Sequence, residues 1–150
     1  MAAFSAISNA LHVLAAVIWV GGMFFAYVVV RPAIGARRFA FWSRALTRFF
    51  PWVWGAVVIL PATGYAAIFI TFGGFAGLGW HVHIMHALGW LMIGLFLNIY
   101  FGAFKRLRAA ADAERWVVAA VHLEAIRKVI LINLCLGFLT IAVASSGRYW

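Results

Sequence analysis

Along the chain, long apolar stretches alternate with short basic ones. Apolar residues run almost without interruption from about Ser8 to Val30, from Pro51 to Phe72, from Val82 to Phe104 and from Val129 to Ala144. An α-helix needs roughly 20 such residues to cross the hydrocarbon core of a bilayer. The pattern therefore predicts an all-α integral membrane four-helix bundle, with helices over about 8–30, 51–72, 82–104 and 113–146. The last of these begins ahead of its span, with a charged amphipathic front from Ala113 to Lys128.

Local signals set the expected breaks. Arg31 and Pro32 mark the end of the first helix, because proline disfavours helix at the residue before it. Pro51 suits the first turn of the second helix, and Pro61 predicts a kink near its middle. Between them, residues 33–50 mix Arg37, Arg38, Arg44 and Arg48 with Phe39, Phe41, Trp42, Leu46 and Phe49. That mixture predicts a basic helix lying at the membrane interface. The run Gly73–Gly79 reads as a tight hairpin. Residues 1–150 form a single transmembrane domain on this reading, with no repeat and no soluble module.

Composition supports the same class: 67% of residues are hydrophobic, 10% are charged and mean hydropathy is +1.05, whereas soluble domains carry about 25% charged residues. A net charge of +9 in a soluble chain would point to nucleic acid. Here eleven of the twelve Lys and Arg residues fall in the first and third connections or in the front of the fourth helix, so no nucleic-acid partner is implied. By the positive-inside rule those segments are cytoplasmic, and the N-terminus, the glycine loop and the C-terminus lie on the outer, periplasmic side. The expected location is the bacterial inner (plasma) membrane, multi-pass, with the lipid bilayer as partner. Met1–Ala10 carries no charge, so the first stretch reads as a retained helix and not as a cleaved leader. The single cysteine, Cys135, offers neither a disulfide framework nor a thiolate cluster.

Four of the five histidines, His12, His81, His83 and His86, fall at the outer helix ends of this topology. His12 and His86 stand about four residues inside the first and third predicted helices, roughly 6 Å below each start at 1.5 Å per residue. Imidazoles at matched depth on parallel helices can share one centre, and ionisable groups at that depth suggest function. Ala15, Ala16 and Gly89 lie one turn away and leave room for a large flat ligand. Trp19 and Trp90 could stack on it, and Arg148 could pair with a propionate. The leading expectation is b-type haem held by His12 and His86, serving electron transfer or redox chemistry with a quinone or a redox protein, which would make the chain a membrane oxidoreductase. His83 and His81, at the loop boundary, are lesser candidates for the centre. His122, in the cytoplasmic front, reads as solvated.

Copper is the alternative, because imidazole and thioether both suit it, with His12, His86 and His83 as metal ligands and Met85 at the same level. Thr63, Tyr65, Asn98, Asn133, Cys135 and Thr140 are the polar groups available deeper in the bundle, and each could equally serve as glue between helices. A third reading is a cofactor-free accessory subunit, whose small residues, such as Gly22 with Ala26, serve packing and homo-oligomerisation. A carboxylate proton relay is not expected, since Asp112, Glu114 and Glu124 all lie outside the spans.

Certain segments carry a family resemblance. They are Leu11-His12-Val13-Leu14-Ala15-Ala16-Val17-Ile18-Trp19-Val20-Gly21-Gly22-Met23, Gly73-Gly74 through His83, Met85, His86 and Gly89, and Ile126-Arg127 followed by Asn133-Leu134 and Gly137. In these the chain resembles the CopD-type copper-resistance membrane family and, more distantly, HemJ-type membrane haem proteins. The first resemblance implies copper handling across the inner membrane. The second implies haem bound through His12.

Overall fold

The computed structural model describes residues 2–33 and 38–149, the side chains of Ala2, Arg38 and Arg148 excepted. Four helices are long and apolar enough to cross a membrane: α1 (Ala3–Ala33), α2 (Phe39–Thr71), α3 (Trp80–Asp112) and α4 (Trp116–Ser146). There is no strand among the described residues. Arg37 lies outside the described residues.

The helices run further than the apolar stretches alone suggest. Helix begins at Ala2 instead of near Ser8, which puts His12 ten residues into α1. Helix in α2 begins at Arg38 and passes through both Pro51 and Pro61, so the basic segment expected to lie separately at the interface is the first three turns of the second helix. The reason is visible in its buried stripe. Trp42, Leu46, Phe50 and Val53 face the core while Arg44 and Arg48 face out, a 3.6-residue period that crosses Pro51 without a phase change. Proline removes one hydrogen bond from the ladder, the one to the carbonyl four residues before it, here Thr47 O and Val57 O. A threonine bonds back beside each proline: Thr47 Oγ1 donates to Ser43 O at 2.7 Å and Thr63 Oγ1 to Ile59 O at 2.6 Å.

Three spans loosen into π-helical turns, at Phe25–Val30, Ala67–Thr71 and Ile99–Phe104. The α2–α3 connection is short, with Gly73 at φ 71° and Gly74 at φ 115°, values that only glycine adopts without strain. Residues 113–115 turn the chain from α3 into α4, with Glu114 at φ 54°. Short connections leave successive helices antiparallel. Helix α1 packs on α2 and α4, and α3 packs on α4.

Aromatic rings fill the middle of the bundle. Phe50 meets Phe104 edge-on at 4.6 Å and Phe96 at 5.5 Å, and Trp54 stands against Phe96 and Tyr100 at 5.5 and 5.4 Å. Edge-to-face pairs at these separations are the favoured arrangement. Glycines admit close approach at two places. The Phe49 ring occupies the space a side chain on Gly22 would need, and a Cβ on Gly137 would come within 2.8 Å of a Val20 methyl. The bundle thus has a basic end, where Arg31, Arg44, Arg48 and the α3–α4 turn lie, and a histidine end formed by the first turns of α1 and α3, the glycine loop and Gly147–Tyr149.

Candidate functional site

His12 and His86 both continue the buried stripes of their helices. On α1 the stripe is Ala15, Trp19 and Met23, and His12 is the next position toward the histidine end. On α3 it is Met92, Ile93 and Phe96, and His86 precedes Ile93 by seven residues. Each ring is half-buried and faces inward. Both are engaged by α2, through Thr63 and Tyr65, which the sequence offered as polar groups either for a copper path or for interhelical bonding.

His12 Nδ1 lies 2.8 Å from Thr63 Oγ1. That hydroxyl has one proton, which is directed to backbone carbonyls, Ile59 O at 2.6 Å and Leu60 O at 3.2 Å. Its oxygen therefore accepts, and Nδ1 donates. The resulting tautomer leaves Nε2 as the nitrogen with a free lone pair, which is the form a metal ligand requires.

His86 Nε2 lies 3.4 Å from Tyr65 Oη, longer than an ordinary hydrogen bond. Its ring is framed by aromatic edges: Tyr65 at 5.4 Å, Phe75 at 6.1 Å and Trp90 at 6.4 Å. Thr63 and Tyr65 are two residues apart, so their side chains leave α2 about 200° apart and about 3 Å apart along its axis. The residue between them is Gly64, where a side chain would stand 3.7 Å from His12 Cε1. Gly89, one turn beyond His86, has open space where its side chain would be.

The remaining candidates are dispersed. Trp19 is 3% exposed and packs edge-on against Phe96 at 6.2 Å, within the core. Trp90 is half-exposed and touches His86 by its ring. His83 is exposed, and His81 packs against Trp80 and lies tight against Gly79 and Gly147. The Arg148 side chain lies outside the described residues. Ser8 and Asn9, the polar neighbours of His12 on α1, hold no side-chain bond to it among the described residues; Thr63 of α2 does. Matching depths along antiparallel helices could have found it, since Thr63 stands eight residues from the end of α2 at the same end of the bundle. No group of three or more His, Cys, Asp or Glu forms among the described residues.

The family model described as Copper resistance protein D matches residues 43–146. This chain belongs to the CopD family. As a member it is a multi-pass protein of the inner membrane, in a family of copper-resistance proteins. The match covers most of α2 and all of α3 and α4 within their spans, including Thr63, Tyr65, Met85 and His86. It begins after α1, so His12 lies outside it. No curated protein and no solved structure matches the chain. Membership of CopD favours copper over the haem that the two histidines first suggested, and neither haem nor electron transfer finds support in it.

Proposed function

We propose that this CopD protein binds copper as its cargo at the histidine end of the bundle, with His12 Nε2 and His86 as the nitrogen donors. The observation that carries this reading is the Ile59–Thr63–His12 hydrogen-bond relay, which leaves the lone pair of an inward-facing imidazole free in a protein of a copper family. Imidazole and thioether are donors suited to Cu(I). Met85, half-buried and next to His86 in sequence, supplies the soft donor at that level. His12 and His86 meet α2 through side chains about 200° apart, so one copper held by both imidazoles requires the two rings to turn toward each other. A site of so few donors suits Cu(I), whereas Zn²⁺ in structural sites prefers four ligands. With the basic end cytoplasmic, as the positive-inside rule requires, this site faces the outer side, where an ion entering or leaving the membrane is met.

Purified protein in mild detergent, titrated with Cu(I) against a chromophoric chelator, tests the reading. One copper per chain is expected, falling to background in the His12→Ala/His86→Ala double variant. Undiminished binding by that variant would overturn the ligand assignment. An absorption spectrum with a stoichiometric Soret band, sharpened on reduction, would return haem to the site in place of copper.

A further inference from the structure

At the opposite end, α1, α2 and α4 leave a shallow, open crevice lined by Ala26, Tyr27, Arg31, Trp42, Arg127 and Ile130. Its exposed lining is apolar, and two cations lie over its aromatic rings. Arg31 lays its guanidinium over the Tyr27 ring at 4.8 Å, and Arg127 lies over Trp42 at 5.7 Å. Arg127 also reaches Glu124 at 3.7 Å, a carboxylate on the exposed side of α4 that does not line the crevice. The Trp42 side chain is 3% exposed, yet its Nε1 is buried without a hydrogen-bond partner among the described residues.

An indole N–H can only donate, and buried donors in native proteins are nearly always satisfied. The acceptor for Trp42 is thus sought outside the described chain. Two guanidinium groups in the same crevice, Arg127 over the Trp42 ring and Arg31 over Tyr27, select an anion rich in oxygen. Arg31 is exposed and sits where α1 leaves its apolar stretch, the depth at which headgroup phosphates lie. Among the described residues, ten Lys and Arg against three acidic residues are at this end. A surplus of that sign favours an anionic lipid over a zwitterionic one.

We infer that this crevice is a binding site for the phosphate of an anionic phospholipid. Trp42 Nε1 donates to a phosphate oxygen. Arg31 leaves the Tyr27 face to pair with the phosphate, and Arg127 contributes charge from behind. The site is independent of copper and of the histidines at the other end.

Native mass spectrometry of the full chain, delipidated and titrated with phosphatidylglycerol or phosphatidylcholine, tests it. One phosphatidylglycerol per chain should be retained in preference to phosphatidylcholine. Trp42→Phe, which keeps the ring and removes the N–H, should lower retention about tenfold, the size of one hydrogen bond to a charged group. Arg31→Gln, a surface change that leaves the core intact, should do the same, and Arg115→Gln, at the same end but outside the crevice, should not. Equal retention of the two lipids, or an equal loss with Arg115→Gln, would overturn the site in favour of diffuse charge. Displacement of the lipid by millimolar inorganic phosphate would overturn the lipid as its occupant.

Discussion

At the scale of single residues, the decisive group is a threonine. Thr63 spends its proton on Ile59 O and so turns its oxygen toward His12 Nδ1. Groups that orient a ligating histidine typically change metal affinity by about 10–100-fold when removed. Thr63→Val should therefore weaken Cu(I) binding by roughly that factor while leaving the protein folded, and Thr63→Ser should restore it. Equal weakening by Val and Ser, read by the same chelator competition, would reduce Thr63 to packing. Asn133 shows a different balance. Its Nδ2 donates to Met92 O at 3.2 Å, and its Oδ1 is buried without a partner among the described residues. Asn133→Leu loses one interhelical bond and also removes an unsatisfied acceptor, so thermal stability in detergent should change by less than about 1 kcal/mol.

The residues themselves were visible in the sequence; their pairing was not. His12 and His86 stand out because ionisable side chains are rare in apolar stretches. Thr63 and Tyr65 do not stand out, because hydroxyls in membrane helices often bond only to their own backbone. Thr63 does this too, and its bond to His12 becomes apparent only once α1 and α2 are set side by side.

At the scale of elements, the spans were legible from hydropathy, and their ends were not. Proline and the arginines between Arg37 and Arg48 argued for a break before the second span. The buried stripe from Trp42 to Val53 runs through Pro51 and overrides them. Likewise Leu107, Ala110, Ala119 and Leu123 are fully buried, so α3 continues beyond Phe104 and packs at the basic end on the front of α4, which the sequence did place ahead of its span. Such continuity depends on helix contact at small residues. The α1–α4 contact at Gly137 is the most restrictive, because Val20 is β-branched and has little freedom to move aside. Gly137→Ala should destabilise the bundle by about 1–3 kcal/mol, as overpacking commonly does. Gly22→Ala should cost less, since the Phe49 ring that meets it can shift. Thermal unfolding of the two variants in one detergent checks the order, and a larger loss for Gly22→Ala would contradict it.

At the scale of the whole molecule, the chain is a bundle with two chemically unlike ends. One carries four of the five histidines, and the other carries nearly all the charge. By the positive-inside rule the asymmetry predicts an orientation: Ala76→Cys in the α2–α3 connection, in a Cys135→Ser background, should label with a membrane-impermeant maleimide in intact cells. Ala113→Cys in the α3–α4 turn should label only after permeabilisation. The reverse pattern would put the histidines on the cytoplasmic side and contradict the assigned direction of copper encounter.

The copper claim itself is tested most directly by X-ray absorption at the copper edge on the Cu(I)-loaded protein. The expected spectrum is that of a low-coordinate Cu(I) with imidazole scattering, which disappears in the His12→Ala/His86→Ala variant. Copper bound only through sulfur, or imidazole scattering unchanged in that variant, would contradict it.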